Sequence, residues 1–156
     1  MRICVAAPGR LQHAGACTYV DDYTKRIQRI VPITRLTIRE AKRAKGGVNR
    51  RARAAESAAL LGAVPHGAVL AALDVQGRVL DSNAFLLWLV GLAEAGTGDL
   101  VFAIGGPDGH ESGVLEAAHH RIALSPMVLP HELAEVVLME QIYRALTRWK
   151  GFPYHR

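Results

Sequence analysis

Short apolar runs alternate along this chain with longer segments whose apolar residues recur at helical spacing. Arg2–Ala7 reads as a strand that ends at Pro8-Gly9. Thr18–Ile30 carries Val20, Ile27 and Ile30 at near-helical spacing and reads as a helix. Ile33–Ile38 alternates β-branched and polar residues, the pattern of a half-buried strand. Asn49–Leu61, rich in Ala, Arg and Glu, reads as a helix stopped by Gly62. Ala68–Leu73 is a continuous apolar run, as a parallel strand covered on both faces would be.

Beyond Gly77, Asp81 or Ser82 can cap a helix running to about Glu94, closed by Gly96 and Gly98. A strand follows at Leu100–Ile104, then a short helix over Ser112–Ala118 and a strand near Arg121–Leu124. The last helix extends from about His131 to Arg148. Strand–helix alternation of this kind predicts an α/β domain with a mainly parallel sheet flanked by helices. No repeat or linker divides residues 1–156, so a single domain is expected. Three runs pass directly into turn residues: Leu73-Asp74, Ile104-Gly105-Gly106 and Leu124-Ser125-Pro126. Ligands of open α/β sheets sit beyond the carboxyl ends of the strands, which makes these loops the first candidate site.

Composition narrows the picture. Half of the 156 residues are hydrophobic and 21% are charged, which excludes a disordered tail. A net charge of +5 is compatible with a polyanionic partner. Cys4 and Cys17 are too few for a disulfide framework, and Cys4 sits in an apolar run as a core residue would. Pro8 and Gly9 interrupt the N-terminal apolar run before a signal sequence can form. The most apolar stretch, Ala84–Ala93, is half the length of a bilayer span. A cytoplasmic protein with no membrane partner is the expectation.

The candidate motifs each admit two readings. In Ile104-Gly105-Gly106-Pro107-Asp108-Gly109, adjacent glycines allow a backbone to approach a ligand closely, or simply make a tight turn. The spacing matches neither a dinucleotide fingerprint nor a phosphate-binding P-loop. Leu124-Ser125-Pro126-Met127-Val128-Leu129-Pro130-His131 must leave the sheet at its prolines. It then either offers backbone polar groups in an apolar setting, suited to an adenine and a thioether, or only connects strand to helix.

The last helix is apolar around most of its circumference, through Leu133, Val136, Val137, Leu138, Met139, Ile142, Tyr143, Leu146 and Trp149, which suggests burial on two sides, one of them against another subunit. Glu140 and Arg144 are spaced to pair, either weakly at an exposed surface or in an orienting role at an interface. The tail Tyr154-His155-Arg156 combines a stacking ring with a phosphate-binding guanidinium, or is frayed. Lys42-Arg43 through Arg50-Arg51-Arg53 suits a phosphate backbone or a solvated helix face. His119-His120, taken as adjacent helical residues, point about 100° apart and cannot share one ion, so no metal is expected.

Several blocks in order are similar to one family. They are Leu73-Asp74-x-x-Gly77, Ile104-Gly105-Gly106-x-x-Gly109, Leu124-Ser125, Leu129-Pro130-His131, Glu140-Gln141-x-Tyr143-Arg144-Ala145 and Pro153-Tyr154-His155-Arg156. Together they closely resemble the RlmH family of SPOUT methyltransferases over essentially the whole chain; Tyr23-x-Lys25-Arg26 agrees more loosely. The resemblance implies a SPOUT-type α/β fold with a C-terminal trefoil knot and a homodimer. It also implies S-adenosyl-L-methionine (SAM) as cofactor and methylation of N3 of a pseudouridine in 23S rRNA on the assembled ribosome.

By position, the resemblance assigns SAM binding to Leu73, Gly105, Gly106, Ser125, Pro126, Met127, Val128, Leu129 and Pro130. Tyr154, His155 and Arg156, from the partner subunit, would approach the target base. His155 or His131 would accept the imide proton, and Arg156 or Arg144 would stabilise the developing oxyanion. Two residues depart from the family: Val128 replaces Thr, and Glu135 replaces Arg. Glu135 is expected to face the RNA groove and weaken phosphate binding. Two rival functions follow, a tRNA-methylating SPOUT enzyme and a ribosome-binding protein on the same scaffold that no longer methylates.

Overall fold

A computed structural model describes residues 1–41 and 49–154. Among the described residues five strands and five helices alternate: β1 (Arg2–Pro8), α1 (Ala14–Gln28), β2 (Ile33–Ile38), α2 (Arg50–Ala63) and β3 (Val69–Val79), then α3 (Ser82–Glu94), β4 (Asp99–Ala103), α4 (Ser112–Ala117), β5 (His120–Ala123) and α5 (His131–Trp149). All pairings are parallel, in the order β2-β1-β4-β3-β5. Crossovers in a parallel sheet take one hand. The steps β1→β2 and β3→β4 run one way across this order, and β2→β3 and β4→β5 run the other. A single hand therefore puts α1 and α3 on one face and α2 and α4 on the opposite face.

The core divides accordingly. Ile3, Val5, Leu100, Phe102 and Ile122 pack with Val20, Ile27, Phe85, Leu89, Leu138, Ile142 and Leu146 of α1, α3 and α5. Their alternate neighbours Ala6, Leu70, Val101 and Ala103 meet Leu60 of α2 and Val114 of α4. Leu138, Ile142 and Leu146 are fully buried, each contributing about 1.5–3 kcal/mol. They follow one another at helical spacing and fix which side of α5 faces the sheet.

Most boundaries fall where the residue pattern predicts. Asn49 and Asp81 cap α2 and α3, accepting from the N–H groups of Ala52 and Ala84. α1 begins four residues earlier than its apolar periodicity suggests, because Ala14-Gly15-Ala16 has no large side chain to mark a face. The loop before it is held by Glu132 of α5, which accepts from the backbone N–H groups of Gln12 (2.8 Å) and His13 (3.0 Å). Cys4 is only partly buried, a correction to its expected core position; the strand alternation turns it towards the thinner α2/α4 side.

β3 runs past the expected end at Leu73. Leu73 and Arg78 both register with Ile122 of β5, so residues 74–77 leave the ladder as a bulge before it resumes. Gly77 allows the return. A Cβ there would stand 2.6 Å from the Ile122 nitrogen, so any other residue would force two backbones apart.

Glu135 is the clearest departure from expectation. It does not face a groove: it is 1% exposed and points inward, where Arg35 of β2 clasps it through Nε–Oε1 (2.6 Å) and Nη2–Oε2 (3.1 Å). Arg35 also donates to Thr37 Oγ1 and to the Gly9 carbonyl. The charge of Glu135 is thus neutralised locally, and its carboxylate is out of reach of any phosphate. Removing one partner of such a pair leaves an uncompensated buried charge. Arg35→Met should cost about 3–5 kcal/mol, measured by urea denaturation, whereas Arg35→Met with Glu135→Leu should recover most of that loss.

Candidate functional site

At the carboxyl ends of β4, β3 and β5 a cavity of about 630 Å³ opens. Its wall comes from three loops: Leu73, Asp74 and Val75; Ile104 to Pro107 with Gly109 and His110; and Leu124, Ser125 and Met127 to Pro130. His131 and Ala134 of α5 close one side. Of the predicted pocket residues, Leu73, Gly105, Gly106, Ser125, Met127, Val128, Leu129 and Pro130 all line it. Pro126 is absent from the wall; it bends the loop that carries the others.

The glycine segment is a tight turn. Gly109 N–H donates to the Gly106 carbonyl (2.9 Å), closing a four-residue turn with Pro107 in its second position. Gly109 has φ +74°, a conformation that other residues rarely adopt. Gly105 lies so close to the end of the turn that a Cβ would sit 3.0 Å from the Gly109 Cα. The tight turn is what folds the backbone into the cavity wall.

Opposite it, Ser125 Oγ accepts from the Met127 N–H (3.0 Å), locking the start of the proline loop. Met127 and Val128 are 72% and 79% exposed. Large apolar side chains left this open at a cavity mouth suit an apolar or aromatic ligand. The departure Val128 therefore adds apolar surface to the rim.

Two polar side chains also stand in the wall: Asp74, in a loop that the residue pattern marks, and His110, which it does not mark. Asp74 opens the β3 bulge and accepts from the Gln76 N–H and from Arg121 of β5, whose Nε stands at 3.1 Å. Burial pushes the Asp74 carboxyl up, but the hydrogen bonds from Arg121 and Gln76 outweigh it and hold the group below its ordinary range. His110 follows the glycine turn with Nε2 3.2 Å from the Ala103 carbonyl oxygen. Burial depresses its pKa, partly offset by that carbonyl and by the Asp74 charge. Asp74 falls in the block Leu73-Asp74-x-x-Gly77, whereas no motif marks His110.

The structure separates the expected catalytic residues. His131 stands at the cavity, while Arg144 lies roughly 20 Å further along α5 at 1.5 Å per residue. Tyr154 stays with Arg144: the guanidinium lies 5.3 Å from the tyrosine ring centroid, and Tyr154 Oη is 3.4 Å from Glu140 Oε1. Glu140 accepts from Arg144 through Nη2 (2.6 Å) and Nε (2.9 Å). His155 and Arg156 lie outside the described residues, as do Lys42 and Arg43 of the basic cluster. Arg53 of that cluster is paired with Glu111 at 2.7 Å.

The two adjacent histidines are not helical, contrary to the premise applied to them. His119 follows α4 and accepts from the Leu70 N–H through Nδ1, and His120 opens β5, packed edge-on to Trp88. Among the described residues no cluster of three potential metal ligands occurs, and no helix is long and apolar enough to cross a membrane.

Comparison with known proteins gives a consistent answer. Residues 1–155 match the family model described as "Predicted SPOUT methyltransferase". The chain is 38% identical to the ribosomal RNA large subunit methyltransferase H of Dinoroseobacter shibae, covering 100% of this chain and 99% of that protein. It is likewise 38% identical to the protein of the same name from Sorangium cellulosum, over 99% of each. The relative in Paracoccus denitrificans, also 38% identical, covers 100% of this chain and 99% of its own length.

His110 makes the cavity wall sensitive to pH. With its folded pKa depressed below the unfolded value of about 6.5, the unfolded chain takes up a proton that the folded chain resists. The stability of the neutral form is complete above that pH and is lost as pH falls towards the folded pKa. Urea denaturation should give a smaller unfolding free energy at pH 5.5 than at pH 7, and His110→Gln should reduce the difference. The depressed His120 keeps part of the slope in the variant.

Proposed function

The chain belongs to the SPOUT methyltransferase family, and from that premise we propose that it methylates N3 of a pseudouridine in 23S rRNA, using SAM, on the assembled ribosome. The observation that carries this reading is the coincidence of two independent sets of residues. The cavity at the ends of β3, β4 and β5 is walled by eight of the nine residues that the family resemblance assigns to the methyl donor. Its volume suits a ligand of that size, and its wall is largely backbone and apolar side chain. The names of the relatives supply the ribosomal RNA as substrate.

SAM fits these residues. Gly105, Gly106 and the loop from Ser125 to Pro130 would hold it, and it would supply an electrophilic methyl group on a good leaving group. The task left to the protein is alignment, because a nucleophile positioned in line gains most of its rate from proximity. The target nitrogen carries a proton at neutral pH, so a positioned acceptor assists. His131 stands at the cavity wall in the same chain, and His155 is its rival from the tail.

A homodimer belongs to this proposal. Within one protomer Tyr154 and Arg144 sit at the far end of α5 from the cavity, so the tail serves a partner's cavity. The knotted path of the C-terminal chain and a cytoplasmic location complete the proposal. The inward pairing of Glu135 with Arg35 gives no support to a scaffold that has ceased to methylate.

Purified ribosomes lacking the modification, incubated with labelled SAM, should acquire label in a single 23S pseudouridine, identified by nucleoside mass spectrometry. Label confined to tRNA, or none, would sink the proposal. Gly105→Ala should weaken SAM binding by about tenfold or more in calorimetry, since the added methyl group displaces the turn. His131→Ala and His155→Ala, compared in single turnover, separate the two acceptors: the true one loses roughly 10²–10⁴-fold.

A further inference from the structure

The end of α5 is built to turn the chain back on itself. Gly151, at φ +72°, takes the left-handed position just past the helix. Its N–H donates to the Arg148 carbonyl (3.1 Å), and the Phe152 N–H donates to the Thr147 carbonyl (2.8 Å). This paired closure reverses the chain and returns Tyr154 to the flank of α5.

What Tyr154 meets there comes from two helices far apart in the sequence, α5 and α1. Its ring packs edge-on against Tyr143 of α5, with centroids 4.6 Å apart. Its hydroxyl lies 3.3 Å from that of Tyr23 in α1 and 3.4 Å from Glu140 Oε1. Arg144 covers its ring at 5.3 Å, and Arg26 covers the Tyr23 and Tyr143 rings at 5.8 Å and 5.7 Å. Glu140 is the hub. One oxygen accepts from Arg144 and Tyr154; the other accepts from Gln141, whose carbonyl oxygen accepts from Ser82 at the start of α3. Burial and the neighbouring Tyr154 hydroxyl push the Tyr23 phenol well above its ordinary range, so it remains a neutral donor.

We infer that Tyr23 and Glu140 form a latch that fixes the C-terminal tail through the Tyr154 hydroxyl, and that both are positioning residues for methyl transfer. Neither touches the cavity. They act through Tyr154, by holding its hydroxyl and ring against α1 and α5. Free rotation of a Tyr154 ring that must approach one nucleobase would dissipate the advantage of proximity. The catalytic half of this inference rests on the proposed function; the structural half does not.

The full-length protein labelled with 3-fluorotyrosine has four tyrosine resonances, and Tyr154→Phe assigns the relevant one. Tyr23→Phe removes one hydroxyl and leaves the ring. It should shift or narrow the Tyr154 resonance, and lower single-turnover methylation of ribosomes by roughly 10- to 100-fold. The KM for SAM and the melting temperature should stay at wild-type values. Glu140→Ala should do the same, while Glu140→Gln, which keeps an acceptor, should recover much of the rate. A Tyr154 resonance and a rate both unchanged in Tyr23→Phe and Glu140→Ala would overturn the latch. So would a rate loss matched by a higher KM and a lower melting temperature, the mark of a merely structural role. If the wild-type protein transfers no methyl group while the Tyr154 resonance still responds to both variants, the latch stands and the proposed reaction fails.

Discussion

Every strand in this sheet is parallel to its neighbours, and that constraint organises the rest of the molecule. Parallel strands cannot be joined by hairpins, so each step needs a crossover, and crossovers of one hand must lie on a face set by their direction. Two crossovers run each way across the order β2-β1-β4-β3-β5, which covers both faces with helices and buries the sheet. All carboxyl ends then emerge on the same edge. Three of them belong to the adjacent strands β4, β3 and β5, and their loops converge on one cavity. The site follows from strand direction before any side chain is considered.

The bulge in β3 shows how tightly that convergence is built. Residues 74–77 leave the ladder so that Asp74 and Val75 enter the cavity wall, and the strand rejoins β5 where Gly77 presses on Ile122. Arg121, on the same strand of β5, reaches back to hold Asp74. An ordinary strand end would have left the third wall open. Packing against the backbone of β5, rather than any ligand, is the reason that position carries no side chain.

α5 has two working ends. Its first turn contributes His131 to the cavity and Glu132 to the loop before α1, while Leu138, Ile142 and Leu146 anchor its middle to the sheet. Its second half carries Glu140, Tyr143 and Arg144, around which the returning Tyr154 is gathered. Between the two, Glu135 is an interior charge satisfied by Arg35. A helix rigid over this length holds the two ends at a fixed separation.

Residue pattern alone carried the order and type of the elements, because apolar periodicity and capping residues such as Asp81 and Asn49 act over a few neighbouring positions. It also located the glycine and proline loops, since a chain leaving a buried sheet must change composition where it leaves. Only tertiary structure decided what depends on residues far apart in the chain. Glu135 reads as a solvent-facing charge until Arg35, a hundred positions away, is seen beside it. Tyr23 and Tyr154 meet across an even longer stretch, and Asp74 and His110 become cavity residues only through the β3 bulge and the turn at Gly109. Such pairings are set by strand order and by which helix covers which face, and local spacing holds no record of either.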